Sequence, residues 1–182
     1  SFLWTQGNTP YKPDVVMEAG NRAVSPQQTQ IYCADSLALL STSTGNGDHQ
    51  LEATRATSAA TAQAARLSAR LMADHPELWP ETIRALVVHS ARWTPHMNTA
   101  LTNAGGKTNR YMLLRKFGHG IPDHSRATQS ALDSIALVAE QSIQPFTDGG
   151  RGNECHYFDL PWPSEALATL GNAEVRLKIT LS

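Results

Sequence analysis

The sequence predicts an α/β region over residues 1–131, followed by part of a β-rich, sandwich-like region over residues 132–182. An alanine-dominated run, residues 58–73, has the composition of a helix, and a second helical segment starts at Pro80. Short runs of β-branched and aromatic residues follow Ser134 and are typical of strands. A length of 182 residues allows one domain and part of another.

The composition excludes several classes of protein. Hydrophobic residues make up 41% and charged residues 17%, which is typical of a globular chain. A net charge of −1 gives no electrostatic reason to expect nucleic acid or an anionic membrane as the partner. No apolar run approaches the about 18 residues needed to span a bilayer. Cys33 and Cys155 form no metal-binding pair or disulfide framework, and two isolated cysteines favour a reducing, cytoplasmic compartment.

The first third of the chain predicts loops, one strand and a central helix. Residues 1–30 are rich in Pro, Gly, Asn and Gln, so we expect loop and edge structure there. An apolar stretch within residues 31–43 predicts a buried strand, and the Gly-Asn-Gly-Asp sequence at residues 45–48 predicts a turn. The run at residues 58–73 has only two charged side chains, so we expect its helix to be buried.

The second third predicts a further helix and a glycine-rich turn. The helix starts at Pro80, and its apolar face is formed by Ile83, Leu86, Val87 and Ser90. Residues 94–110 are expected to form a loop. Residues 117–123 read Phe-Gly-His-Gly-Ile-Pro-Asp and predict a turn, after which Asp123 or Ser125 would cap a short helix through Ala131.

The last third predicts strands around one short helix. Strand-like runs occur at residues 135–138, 156–160 and 174–181, and a helix is expected at residues 163–170. The run at 174–181 alternates apolar and polar residues, and nothing after it would pair with it. We therefore expect the chain to be a fragment of a longer protein.

Ser58 is the candidate for chemistry. It stands between a turn-rich loop and the first turn of the alanine-rich helix, where its own N–H would be one of the unpaired helical donors. Such a donor can face a developing oxyanion, and the helix dipole adds partial positive charge there. The same position also fits a plain N-cap role for Ser58 or Thr57, which is the commoner use of these residues.

Four segments in order resemble the C-terminal part of the catalytic domain of a subtilisin-like serine peptidase (a subtilase). Residues 12–16, Lys-Pro-Asp-Val-Val, are similar to one family segment, and residues 57–62, Thr-Ser-Ala-Ala-Thr-Ala, to the nucleophile motif. Residues 71–91 resemble the next helix and its connection, and residues 117–123 the closing glycine turn. The resemblance covers about the first 130 residues.

The resemblance implies the C-terminal portion of a three-layer α/β domain and peptide-bond hydrolysis through an acyl-serine, without a cofactor or metal. Ser58 matches the family nucleophile and main-chain oxyanion donor, and Thr57 matches the threonine that supports that pocket. The family's Asp, His and side-chain oxyanion Asn lie upstream. The implied partners are therefore a peptide or protein substrate and the missing N-terminal part of the same catalytic domain, without which the chain should be inactive.

Two departures from the motif leave a second function open. Ala56 stands where the family has Gly, and Ala62 where it has Pro, which indicates a divergent bacterial-type branch. A Gly requirement for positive φ at residue 56 would favour a non-catalytic binding or scaffold module instead. A serine hydrolase of another fold is disfavoured, because the chain has neither a G-x-S-x-G nor an S-x-x-K motif.

A base within the chain is a further possibility. Asp123, His124 and Ser125 are consecutive, but adjacent residues do not fold into a triad, because triads are built from separated segments. His49 precedes Ser58 by nine residues and is the local candidate to test.

Overall fold

The computed structural model describes residues 12–45, 50–128, 138–159, 162–175 and 177–181. The chain divides into two compact units, Ser1–Ala136 with Thr180–Ser182, and Leu137–Ile179. Helices and small sheets build the first unit, which is compatible with the predicted α/β class.

Two antiparallel strand pairs precede the helices. Strand β1 (Ala23–Val24) pairs with β2 (Ile31–Tyr32), and β3 (Leu39–Thr42) pairs with β4 (Leu51–Thr54). The second pair has the register of a hairpin, which agrees with the predicted turn between its strands. Residues 46–49, which include most of that turn, lie outside the described residues.

The expected buried strand over residues 31–43 is wrong. The segment is divided between β2 and β3 by a 3-10 helix, Asp35–Leu37, and most of it is exposed. Asp35 turns its carboxylate to Arg55, with Oδ1 2.8 Å from Nη2, and Leu40 is 72% exposed. The polar residues in the middle of the segment therefore break it into two short edge strands.

Helix α1 (Thr57–Asp74) agrees with the predicted alanine-rich helix. Only Leu67 and Leu71 are buried in it, whereas Ala62, Ala65 and Ala69 are exposed. The expectation of a helix buried on most sides is therefore wrong, because the described part of the chain covers only one stripe of α1.

Helix α2 (Pro80–Ser90) is confirmed together with its predicted apolar face. Pro80 occupies the first turn, where the missing N–H costs nothing, and Glu81 lies near the positive end of the helix dipole. The hydrophobic core lies between α1, α2 and the short helix after the glycine turn. Its buried members are Leu67, Leu71, Ile83, Leu86, Val87 and Ala127, with Val15, Met17 and Leu78 packed against them.

The expected loop over residues 94–110 is wrong, because two helices occupy most of it. Helix α3 spans Pro95–Asn103, and α4 spans Gly106–Phe117. Thr94 caps α3, since its side chain accepts a hydrogen bond of 3.3 Å from the N–H of Met97. A Thr-Pro pair that starts a helix outweighs the polar composition that suggested a loop.

The glycine turn leads into α5 (His124–Thr128), as predicted. The N–H of Arg126 donates to Asp123 Oδ1 at 2.9 Å, so the capping residue is Asp123 and not Ser125. Residues 129–131, where the prediction ended this helix, lie outside the described residues.

In the second unit the short helix α6 (Ser164–Thr169) is confirmed. One isolated bridge pairs Phe146 with Gly152. No strand forms over the described residues at 156–159, 174–175 or 177–181, where two strands were expected, and residues 135–137 lie outside the description. The sandwich-like accessory domain therefore stays a prediction.

Candidate functional site

Ser58 and Thr57 lie in the first turn of α1, where the helix dipole is positive. Both residues are exposed, and the side-chain hydroxyl of Ser58 has no hydrogen bond to any residue that the structure describes. The N-cap is Ala56, which offers no capping side chain. The N-cap interpretation of Ser58 and Thr57 is therefore wrong.

The main-chain donors of this turn are largely unpaired. The N–H of Ala59 donates to the carbonyl of Ala56 at 3.0 Å, whereas the N–H of Ser58 has no backbone partner among the described residues. The first turn of α1 contains no acidic residue, unlike α2, where Glu81 offsets the dipole. This end of α1 can therefore stabilise negative charge that develops beside Ser58.

Ala56 is compatible with its backbone conformation. Its φ is −171° and its ψ is 163°, which is extended backbone that any residue adopts. Glycine is not required here, so this substitution does not argue against a working site. Ala62 lies inside α1, where alanine is the most favourable helix former.

A cleft of about 240 Å³ opens beside the first turn of α1. The cleft is bounded by one loop before β1 and by the residues that lead into α1; its lining residues are Ala19, Gly20, Asn21, Arg22, Arg55, Ala56 and Thr57. Gly20 has a φ of +76°, and a Cβ on it would lie 3.1 Å from Cγ of Arg55. Glycine therefore allows the two walls to approach each other.

Helix α1 is held in place by two contacts along its length. Gln63 donates from Nε2 to the carbonyl of Glu18 at 2.6 Å, which ties the helix to the loop that carries Gly20. Further along, Leu71 is fully buried in the core. The first turn therefore stands on a helix that is fixed at its middle and along one face.

The two outer segments of the predicted motif contact each other. The N–H of His119 donates to the carbonyl of Asp14 at 2.8 Å, and the N–H of Val16 donates to the carbonyl of Gly120 at 3.0 Å. Gly118 and Gly120 have φ values of +52° and +98°, and a Cβ on Gly118 would strike the backbone of residues 13–14. These segments brace the core and do not line the cleft.

Asp14 has a carboxyl whose pKa its surroundings shift. Burial on its own raises the pKa of its carboxyl, but the hydrogen bond and charge of Lys12 oppose this, and Arg84 adds to them. The Lys12 Nζ lies 2.6 Å from Oδ2, and the Arg84 Nη2 lies 3.4 Å from it. The net effect lowers the pKa of Asp14 below its ordinary value.

Two described histidines, His124 and His89, have side-chain partners other than Ser58. His124 Nε2 lies 2.8 Å from Asp74 Oδ2, at the far end of α1. Sixteen residues at 1.5 Å each separate Asp74 from Ser58, which is about 24 Å along the helix. His89 Nδ1 lies 3.0 Å from Thr180 Oγ1. His49 lies outside the described residues.

The described residues contain neither a cluster of metal-binding side chains nor a membrane-spanning helix. These residues contain no group of three or more His, Cys, Asp or Glu side chains that could hold a metal ion. None of their helices is long and apolar enough to cross a bilayer.

The cleft shows what sequence reasoning missed. Arg22 and Arg55 are 33 positions apart in the sequence, and only the folded loop brings them to one cleft. Arg55 could have indicated this positive charge from the sequence. It stands directly before the Ala-Thr-Ser sequence, and the first turn of the helix that follows has no acidic residue.

A family model described as Peptidase_S8, the subtilase family, matches residues 3–120 of the 182, which is more than half of the chain and includes Ser58. Neither the curated proteins nor the solved structures gave a match.

Proposed function

Because this chain belongs to the subtilase family of serine peptidases, we propose that Ser58 is the nucleophile of an endopeptidase. One observation carries this proposal: Ser58 presents an exposed hydroxyl and an unpaired N–H at the positive end of α1, with no capping role. In this proposal, Thr57 supports the oxyanion pocket from the preceding position. No cofactor or metal enters the proposed chemistry.

The reaction proposed for Ser58 is acyl transfer. The Oγ attacks the carbonyl carbon of the scissile peptide bond and forms a new C–O bond, while its proton passes to a general base. The negative charge moves to the carbonyl oxygen, which accepts a hydrogen bond from the N–H of Ser58. The C–N bond then breaks, the amine takes the proton from the base, and water hydrolyses the acyl-serine in a second, equivalent step.

In this proposal the base comes from outside the part of the chain that the structure describes. His124 and His89 pair with Asp74 and Thr180, and neither hydrogen-bonds to Ser58. We propose that the N-terminal part of the same catalytic domain supplies the Asp, the His and the side-chain oxyanion Asn. A serine without its base is a weak nucleophile at neutral pH, so the 182-residue chain alone should be inactive.

Hydrolysis of a fluorogenic peptide library by the intact gene product tests the proposal. S58A should lower kcat/KM by at least about 10³-fold, because triad members act as a unit. S68A, on the same helix, is the matched control and should keep the activity. The 182-residue chain by itself should not cleave these peptides.

Two results would contradict this assignment. Hydrolysis that persists in S58A would remove Ser58 from the chemistry. A folded intact protein that binds peptides without cleaving them would favour the alternative, a non-catalytic binding or scaffold module.

A further inference from the structure

The cleft beside Thr57 has an excess of positive charge. Arg22 and Arg55 line it, and none of the lining residues is acidic. Arg55 forms an ion pair with Asp35, whose carboxylate is 87% exposed, whereas Arg22 forms no ion pair with a described residue. The two arginines are thus accompanied by one carboxylate, that of Asp35 on Arg55, which leaves the positive charge of Arg22 beside a helix dipole that no acidic residue of the first turn offsets.

Arg55 can form a hydrogen bond to a second acceptor besides Asp35. Its side chain is only 18% exposed, and its buried Nε has no hydrogen-bond partner among the described residues. That ion pair joins Nη2 alone to Asp35, so the guanidinium group of Arg55 has donors that Asp35 does not use. Guanidinium groups match carboxylates in geometry, because two parallel N–H donors face two oxygens.

The cleft lies next to the proposed reaction centre. Thr57, one of its lining residues, directly precedes Ser58, and neighbouring Cα atoms are about 3.8 Å apart. A group bound in the cleft therefore belongs to a substrate residue close to the scissile bond. The volume of about 240 Å³ suits one side chain or chain end.

We propose that this cleft, between residues 19–22 and 55–57, is a substrate subsite that binds a carboxylate near the scissile bond. The inference rests on the proposed function, since it assigns a substrate preference to the same site. The carboxylate comes either from an Asp or Glu side chain of the substrate or from its C-terminus. Arg22 is the specificity-determining residue, because no described residue neutralises it.

Paired peptides that differ only in Glu against Gln, placed at each position around the cleaved bond, test the proposal with the intact protein. At one position the Glu peptide should have a kcat/KM about fivefold higher, which is the upper range for an exposed charge pair. R22Q should remove this difference, and R22E should shift the preference to the matching Lys peptide. Added salt should weaken the wild-type preference, because exposed charges are screened.

The matched control is R70Q, which removes an exposed arginine of α1 that does not line the cleft. It should keep the wild-type ratio of Glu to Gln. Peptides with a free or an amidated C-terminus separate the two sources of the carboxylate. A preference fixed in position and independent of amidation assigns the side chain, whereas one lost on amidation assigns the C-terminus.

Equal kcat/KM for Glu and Gln at every position, or a preference that survives R22Q, would overturn the proposal. Failure of the proposed function has a different signature, since cleavage is then absent or does not need Ser58. In that case the Glu and Gln peptides are titrated against the folded S58A protein by calorimetry. Tighter binding of the Glu peptide that R22Q abolishes supports the subsite, and equal binding refutes it.

Discussion

Leu71→Ala tests the claim that α1 is held in place by the core. Leu71 is 0% exposed and packs in the cluster that joins α1 to α2. Its neighbour Met72 is 51% exposed, so Met72→Ala changes the same helix, one position further, with little effect on the core. The pair separates core packing from helix propensity, because both substitutions introduce the same residue.

The magnitude follows from burial. A fully buried leucine loses its transfer free energy and leaves a cavity, so the free energy of unfolding should fall by about 3 kcal/mol. Met72→Ala removes only half-buried atoms and leaves no closed cavity, so its loss should be about 1 kcal/mol. In a protein of this size these losses correspond to falls in Tm of roughly 6–12 °C and 2–4 °C.

Thermal unfolding followed by circular dichroism measures both values under one set of conditions. The two variants should differ in Tm by several degrees, with Leu71→Ala the less stable. Equal values, or a larger loss for Met72→Ala, would show that α1 does not pack on this core.

Three smaller predictions concern the scaffold. Gly120→Ala should lower the free energy of unfolding by about 2 kcal/mol or more, because φ is +98° and a Cβ would strike the backbone of Arg92, whereas Gly105→Ala should have little effect. This is checked by urea denaturation. Asp14 has a lowered pKa, so its contribution to stability is present above its ordinary pKa and is lost as the pH falls below about 4. Asp14→Asn should remove this part of the acid dependence of stability. Denaturation curves measured at several pH values check this. Thr94→Ala should lower the free energy of unfolding by about 1 kcal/mol through loss of the cap, while Thr94→Ser keeps it; Tm measures the difference.

Local composition was sufficient for the main helices. The alanine run predicts α1, and Pro80 with its apolar stripe predicts α2 and all four buried members of its face. These signals are contained in one segment, because helix formation and amphipathic patterning depend on neighbours within a few residues.

The burial of each helix and the contacts between distant residues could not be predicted from local sequence in the same way. The sequence of α1 predicts a buried helix, but the number of its faces that are covered depends on which elements pack on it. The strand predicted over residues 31–43 failed because a 3-10 helix at Asp35–Leu37 divides the segment and its two parts pair with different strands. Arg22 and Arg55 likewise meet only in the fold. The assignment of Ser58 rests on its place at the start of α1 and on the order of the motifs, and it stays a prediction.

The proposed chemistry of Ser58 is tested most directly by locating a covalent adduct on the intact, folded protein. A fluorophosphonate reagent is allowed to react, and trypsin then cuts after Arg55 and Arg66, so that Ser58 lies in the fragment of residues 56–66. Fragment-ion mass spectrometry distinguishes Ser58 from Thr57 and Thr61 in this peptide. We expect one adduct, on Ser58, that does not form on the denatured protein. An unmodified fragment from folded protein, or an adduct on another residue, would contradict the assignment.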